Sequence, residues 1–403
     1  MSDRFQQLVS GLKERPSVDQ LIPEADLVAK LKKSEETGKP LRIKLGIDPS
    51  APHLTLGHSI PLRKMRQLQD LGHTGVLVVG DFTRRIGDPS GRSSTRALMT
   101  QEDIERNMST YVEQAFKILD PERTEIRYNS EWLGKLTFAD VISLTAKYTV
   151  ARMLERDDFA KRFAGNLPIS ILELLYPLAQ AYDSVAIHAD VELGGSDQLF
   201  NLLVGRDIQR EYGQEPQVIL TVPLLIGTDG VHSMSQTVGN YVGIGEAPSE
   251  MYGKILSIPD DLLREYFYQL TDAEMTEAES LIENSPRDAK RRLALDIVAH
   301  YHDKDVAIAA KEEFDRIHIK HERPTDVPQV KIDRKLIKDG NVIWVISLLQ
   351  ASRLVTSRGE AKRLITQGGV KINDERIASP ELELPFDPPI LIQVGKRSFV
   401  EAV

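Results

Sequence analysis

Two stretches decide the fold: Ile43-Lys44-Leu45-Gly46-Ile47-Asp48-Pro49-Ser50-Ala51-Pro52-His53-Leu54-Thr55-Leu56-Gly57-His58 and Val76-Leu77-Val78-Val79-Gly80-Asp81-Phe82-Thr83-Arg84-Arg85-Ile86-Gly87-Asp88-Pro89-Ser90-Gly91-Arg92. Each begins with a short apolar run and passes into a turn rich in Gly, Pro and polar residues. Between them, residues 56–71 carry apolar side chains at spacings of three and four, the period of a helix. Strand, turn, helix, strand, turn predicts a parallel sheet with both turns at one edge. Ligands of such sheets bind at the carboxyl ends of the strands.

The same alternation extends from Leu41 to Val222. Predicted strands are Ile43–Ile47, Val76–Val79, Glu125–Tyr128, Val185–Val191 and Val218–Leu220, with a helical pattern over 100–119. Alternation of this kind predicts an α/β, doubly wound, Rossmann-type parallel sheet with helices on both faces. Residues 1–40 read as a charged helical segment, 41–245 as the catalytic domain and 246–325 as an α-helical domain. Thr271–Glu274 and Ser285–Asp288 are candidate caps in the helical domain. Residues 326–340 read as a linker. Residues 341–403 read as a small α+β domain with two amphipathic helices, then strands at Val370–Ile372, Ile390–Val394 and Phe399–Val400.

Composition narrows the chemistry. The 403 residues include no cysteine, which excludes disulfides, thiolate metal sites and cysteine nucleophiles. No apolar run approaches the roughly 20 residues of a membrane span. The amino terminus has no apolar signal core, so a cytoplasmic protein is expected. Net charge is −9 but uneven: residues 331–403 hold 12 Lys and Arg against 9 Asp and Glu, net +3, leaving −12 on the rest. A basic tail on an acidic body suits local contact with RNA.

Five motifs carry candidate chemistry. In the first turn Gly57 permits close approach, and His58 falls in the first turn of a helix, where free amides attract anions. The second turn offers Asp88 to a cationic amine and Arg92 and Arg96 to phosphate. Tyr176, Gln180 and Asp183 share one face of a helix. Gly194-Gly195-Ser196-Asp197-Gln198 lets a ligand approach the backbone, with Asp197 placed to accept ribose hydroxyls. Gly230–Tyr241 is a polar loop containing Ser233-Met234-Ser235-Gln236-Thr237. Taken singly, each also fits an ordinary turn, a surface helix or a solvated loop. Their conjunction is more specific.

In order and spacing the set resembles the tyrosyl-tRNA synthetases, a class I aminoacyl-tRNA synthetase family, over essentially the whole chain. Lys44-Leu45-Gly46 is similar to the first strand of a bacterial branch. The tail Ser357–Asn373 resembles the S-four-like RNA-binding fold, with Arg358, Lys362, Arg363 and Lys371 as its RNA-contacting candidates. The resemblance implies a tyrosine–tRNA ligase that uses ATP with Mg²⁺, acts on tRNA and tyrosine or a tyrosine-like amino acid, and forms a homodimer. It implies no metal ligands from the protein. It assigns the α-amino group to Tyr176, Gln180 and Asp88, the tyrosine hydroxyl to Asp183, and the ribose to Gly195 and Asp197. Gln198 would line the tyrosine side, and Lys44 stands where another branch contacts the hydroxyl. Gly57, His58, Met234, Ser235 and Gln236 would bind ATP. Asp48, Ser50, Thr55, His58 and Gln236 would position reacting phosphate. A site that hydrogen-bonds the phenol rejects phenylalanine by roughly 10⁵, a magnitude established for this family rather than inferred from these residues. The implied dimer would bring the helix after His58 and residues 100–119 near its interface.

Three positions depart from the family pattern on the phosphate side. Thr55 replaces the first histidine of His-x-Gly-His, and Ser233 and Gln236 replace both lysines of Lys-Met-Ser-Lys-Ser. Arg84-Arg85 replace small or apolar residues. The alternative expectation is therefore a paralogue with weakened ATP activation. It would act as a tyrosine- and RNA-binding regulator, or on a different amino acid or a preformed adenylate.

Overall fold

The computed structural model describes residues 2–48, 53–88, 110–319, 327–338, 341–395 and 398–403. Ser50, Arg92 and Arg96 lie outside these residues. The chain divides into two compact units, Met1–Asp303 and Lys304–Val403.

The first unit is built on a six-stranded sheet. Its strands are β1 (Gln20–Ile22), β2 (Arg42–Ile47), β3 (Thr74–Val79), β4 (Thr124–Tyr128), β5 (Val191–Gly195) and β6 (Val218–Val222). They lie in the order β1-β6-β5-β2-β3-β4. All neighbours are parallel except β1, which runs antiparallel along β6. The chain winds from β2 outward through β3 to β4, then returns to the other side of β2 for β5 and β6. The reversal opens a crevice beyond the carboxyl ends of β2 and β5, where doubly wound sheets bind ligands. Strands β3 and β6 are buried along almost their whole length, as expected when helices cover both faces.

The helix Leu56–Asp70 follows β2 as the sequence predicts. Leu56, Ile60, Leu62, Met65 and Leu68 are fully buried. Gln69 is also fully buried and stitches this helix to the entry of β4. Its Nε2 donates to the Arg123 carbonyl at 2.9 Å and Thr124 Oγ1 at 2.8 Å, and its Oε1 accepts from the Asp120 amide at 3.0 Å.

Two parts of the sequence reading are corrected here. The run Val185–Val191 is not a strand: its first half is the last turn of a long helix, Ile171–Ile187, and the strand starts at Val191. Ser170 caps that helix, with Glu173 returning to the Ser170 amide at 2.9 Å, and His188 ends it in the left-handed region. Residues 1–40 are not all helical, since Gln20–Ile22 extends the sheet. Farther along, helices Pro248–Leu256, Leu263–Leu270, Met275–Asn284 and Pro286–Tyr301 follow without a strand. Ser285 caps the last by accepting from the Asp288 amide. Thr271 instead closes the helix before it, donating to the Phe267 carbonyl at 2.9 Å, and Glu274 starts the next helix without a side-chain cap bond.

The second unit opens with the helix Lys304–His318. Its core gathers Ile343, Ile346, Leu348, Leu349, Ala361, Ile365, Val370 and Ile392 from two short helices, Val345–Ala351 and Arg358–Thr366, and two small sheets. The predicted strands appear as Val370–Ile372, Ile390–Val394 and Ser398–Ala402. The segment read as a linker also contributes strands: Gln329–Val330 pairs with Ser398–Ala402, and Ile337–Lys338 with Val342–Trp344.

Gln69→Leu removes the hydrogen bonds of a fully buried side chain and leaves the Asp120 amide and the Arg123 carbonyl without that partner. The expected cost is about 1–3 kcal/mol, read as a lower urea midpoint with an unchanged slope.

Candidate functional site

The crevice at the switch point is a cleft of about 950 Å³. Its walls bring together Asp48, Thr55, Gly57, His58, Asp88, Tyr176, Gln180, Asp183, Gly195, Asp197, Gln198, Met234 and Ser235. Thirteen of the predicted site positions, from five separate stretches of sequence, therefore meet in one cavity. Lys44 and Gln236 do not line it. Among the described residues that do, no Lys or Arg appears.

Four carboxylates define its character. Asp48 ends β2 and is held by the Tyr176 hydroxyl, which donates to Oδ2 at 2.9 Å, and by Thr83 Oγ1, which donates to Oδ1 at 3.1 Å. Burial, reinforced by Asp88, raises its carboxyl to about 6. A Cβ on Gly80 would sit 2.0 Å from Asp48 Oδ1, so glycine at that strand end is what admits the carboxylate. Asp183 accepts from Trp132 Nε1 at 2.8 Å and Asn129 Nδ2 at 3.3 Å, and burial raises it to about 7. Asp88 accepts from Gln198 Nε2 at 2.9 Å and pairs with the buried Arg156 at 3.5 Å. Asp197 shares the same Gln198 amide at 3.1 Å, and burial raises its carboxyl too. A Cβ on Gly195 would press within 2.6 Å of Asp197 Oδ1.

Gln180 adds an acceptor. Its Oε1 is buried and has no hydrogen-bond partner among the described residues. An orphaned acceptor beside carboxylates fits an ammonium group, since each unmade hydrogen bond to a buried polar atom is costly.

The opposite wall carries His58 and the loop after β6. Thr55 caps the helix Leu56–Asp70, and its amide donates to His58 Nδ1 at 3.2 Å. The Thr55 hydroxyl lies 2.8 Å from the same nitrogen. With Nδ1 accepting, the ring proton belongs on Nε2, which makes the imidazole a hydrogen-bond donor on its free side. Burial lowers His58 to about 4, so the ring is neutral at physiological pH. Thr55, predicted to position phosphate, is almost fully buried and orients His58. The loop is pinned by Asn240, whose Oδ1 accepts from the Ser235 amide at 2.8 Å and whose Nδ2 donates to the His232 carbonyl at 3.2 Å. The Met234 amide donates to the Leu225 carbonyl at 2.7 Å. Gln236 Nε2 donates to the His53 carbonyl, turning the side chain from the cleft.

Lys44 is also displaced from its predicted role. It is fully buried beneath the helix Ile171–Ile187, paired with Glu192 at 2.7 Å. The basic candidates of the second unit are outward: Arg358, Lys362, Arg363 and Lys371 are all exposed, while Ala361 and Ile365 anchor the helix to the core. Sequence reasoning missed Asn129, Trp132 and Arg156. The one signal for Asn129 and Trp132 was their place just after β4, at the same sheet edge as the two recognised turns.

Because the His58 imidazole is held neutral, it is expected to titrate near pH 4 rather than 6.5. The depressed value means that the unfolded chain takes up this proton first as pH falls. The contribution of His58 to stability is therefore complete above pH 6.5 and is lost between 6.5 and 4. Two-dimensional NMR of the imidazole, with His58→Gln for assignment, reads the midpoint directly.

Residues 36–318 match the family described as tRNA synthetases class I (W and Y), and residues 344–386 match the S4 domain. The chain is 52% identical over 393 residues to the tyrosine–tRNA ligase of Moorella thermoacetica, covering 96% of this chain and 93% of that protein. It is 52% identical over 389 residues to the tyrosine–tRNA ligase of Thermotoga maritima, covering 95% and 94%. Among solved structures, tyrosyl-tRNA synthetase of Archaeoglobus fulgidus complexed with L-tyrosine superposes with a TM-score of 0.60 at 19% identity, covering 76% of this chain and 99% of that one. That likeness shows the shared fold. With sequence relatives spanning nearly its full length and the nucleotide-type crevice in place, the chain belongs to the class I tRNA synthetases of the tryptophan and tyrosine type.

Proposed function

We propose that this protein is a tyrosine–tRNA ligase, which activates tyrosine with ATP to tyrosyl-adenylate and transfers it to tRNA. The observation that carries the reading is the Asp183 carboxylate at the cleft wall, held by Trp132 and Asn129 with lone pairs to spare for a phenol. The relatives that are about half identical over the whole chain bear the same name.

In this reading the tyrosine ammonium lies against Gln180 Oε1 and the carboxylates of Asp48 and Asp88, with Tyr176 fixing Asp48. Asp197 and the Gly195 backbone take the ribose. The tyrosine carboxylate oxygen attacks the α-phosphorus of ATP in line, the bond to the β-phosphate oxygen breaks, and pyrophosphate leaves. A terminal ribose hydroxyl of tRNA then attacks the carbonyl carbon, and AMP departs. The protein forms no covalent bond, so its contribution is position and charge. The neutral His58, with its proton on Nε2, donates to phosphate oxygen as charge develops. Met234 and Ser235 border the same side.

Mg²⁺ enters as the companion of ATP. Among the described residues no group of three or more His, Asp or Glu side chains is arranged to hold a metal. A cation of that kind is commonly carried by substrate phosphates rather than by a protein cage. The exposed Arg358, Lys362, Arg363 and Lys371 are the surface offered to tRNA phosphates. A cytoplasmic location accompanies this role in translation. Among the described residues, no helix is long and apolar enough to cross a membrane.

The same reading includes a homodimer. The helix Leu56–Asp70 and the residues Tyr111, Ala115, Ile118 and Leu119, expected near its interface, have their apolar side chains buried within their own unit. The exposed apolar surface lies elsewhere: Phe138, Ile142, Val150, Phe163, Leu167, Ile171 and Leu172 are all solvent-facing, and Phe138 and Ile171 are each 80% exposed. These seven fall between residues 138 and 172, and large exposed apolar side chains favour burial against a second copy.

Two measurements test this. Tyrosine-dependent ATP–pyrophosphate exchange is expected, with little exchange on phenylalanine; its absence at high enzyme concentration overturns the ligase reading. The paralogue reading rests on the substituted signature positions alone. Restoring lysine in Ser233→Lys/Gln236→Lys is expected to raise kcat about 10-fold or more with little change in the tyrosine KM, because only the phosphate side is altered. For the dimer, Ile171→Asp is expected to convert a two-chain species to a single chain in light scattering at micromolar concentration. A wild-type chain already monomeric there removes the proposal.

A further inference from the structure

Lys44 and Glu192 face each other directly across the seam between β2 and β5, at the point where the strand order reverses. Their exposures are 0% and 1%. A charged pair so placed calls for an explanation, because desolvation offsets most of what the pair gains. The Lys44 ammonium donates to Ser184 Oγ at 2.8 Å and to the Gln180 carbonyl at 2.9 Å, and forms an ion pair with Glu192 Oε1 at 2.7 Å. Fully buried, it does not line the cleft. Glu192 is secured in turn, accepting from Ser184 Oγ at 3.2 Å and from Gln217 Nε2. The partners of Lys44 on the helix Ile171–Ile187 bracket Asp183: Gln180 precedes it by three residues and Ser184 follows it.

We propose that Lys44 is a positioning residue: bound to Glu192 below and to Gln180 and Ser184 above, it holds Asp183 in place as a carboxylate and thereby sets the preference for a phenolic over a plain benzyl side chain. The proposal rests on the tyrosine reading given above. A phenol donates its proton to an acceptor, so the ionised carboxylate is the form that recognises it. The groups facing Asp183 are Lys44 from β2, Glu192 from β5, Trp132 and Asn129 from the segment after β4, and Tyr176 on its own helix. Of the charged ones, Lys44 favours the carboxylate and Glu192 opposes it, with Lys44 the stronger. Burial already raises Asp183 to about 7, so the balance of these two charges acts in the physiological range.

Two near-isosteric variants separate position from charge: Glu192→Gln, which keeps the cation, and the neutral pair Lys44→Met/Glu192→Gln. Equilibrium binding of L-tyrosine and L-phenylalanine to the full-length protein is measured from pH 6 to 9. The ratio of the two dissociation constants isolates the phenol contact, because both ligands share the ammonium and carboxylate contacts. In the wild type the preference for tyrosine grows as pH rises through about 7, as Asp183 ionises. Glu192→Gln is expected to move that midpoint down. The neutral pair is expected to move it up by about one unit, a roughly fivefold loss of tyrosine preference at pH 7 that is regained at higher pH. Melting temperatures check that both variants are folded, and the opposed shifts do not require equal stability. A midpoint unchanged in both variants, or shifted the same way in both, overturns the role of Lys44. A wild type with no preference for tyrosine overturns the tyrosine reading and this inference together.

Discussion

Four carboxylates share one cleft, and the cost of taking them out of water is the constraint around which the site is organised. Water would screen them on a surface, but here burial, reinforced by Asp88 at Asp48 and Asp197, raises three of them above their ordinary values. Each is therefore given donors: Tyr176 and Thr83 for Asp48, Trp132 and Asn129 for Asp183, Arg156 for Asp88, and one Gln198 amide split between Asp88 and Asp197. Those donors come from the segments after β3, β4 and β5, from the helix Ile171–Ile187 for Tyr176, and from the start of the short helix Asp157–Ala164 for Arg156. The doubly wound sheet is what delivers all of them to one edge. A cluster so prepared favours positive charge, which on the proposed reading a substrate ammonium supplies.

The fold was legible where a physical period was strong and uninterrupted. Strand β3 is buried on both faces and reads as the apolar run Val76–Val79, β2 is apolar from Ile43 onward apart from the buried Lys44, and the helix between them repeats at three and four. Legibility failed at Val185–Ile187, where β-branched side chains read as strand although they pack inside the helix Ile171–Ile187. The cap Ser170-x-x-Glu173 at the far end of that helix was the corrective signal, and it lay 15 residues before the ambiguous run. Gln20–Ile22 was illegible for another reason: three antiparallel residues at a sheet edge have too little length to show a period.

In the site, residues inside compact motifs were legible, and those defined only by three-dimensional neighbours were not. Asp48, Asp88 and Asp183 each stand in a recognisable turn or helix face. Asn129 and Trp132 stand in no motif, because their importance comes from β4 lying beside β3 and from nothing local. Lys44 shows the opposite failure. Its position along the strand matches a ligand-contacting residue of related chains, but a strand residue must choose one face of the sheet. Here it faces Glu192 and the helix above, and the cleft is left to its neighbours Leu45 and Gly46.

The phosphate side depends on the same logic of pre-set donors, with less charge. A histidine at the first helical turn contributes only if its proton is on the nitrogen that faces the ligand. Thr55 meets that condition, since its amide occupies Nδ1 and so directs the proton to Nε2. Threonine is also a favoured residue at the start of a helix, while the contact that fixes the tautomer comes from the backbone of residue 55. What Thr55 does not replace is a second donor, and Gln236, bound to the His53 carbonyl, does not supply it. A neutral donor stabilises developing negative charge less than a lysine does. On the proposed reading, the side that would take amino acid and ribose keeps its polar groups, while the electrostatic part of phosphate activation is reduced. A loss of that kind would fall on kcat and spare the tyrosine KM, because the proposed tyrosine contacts are other side chains.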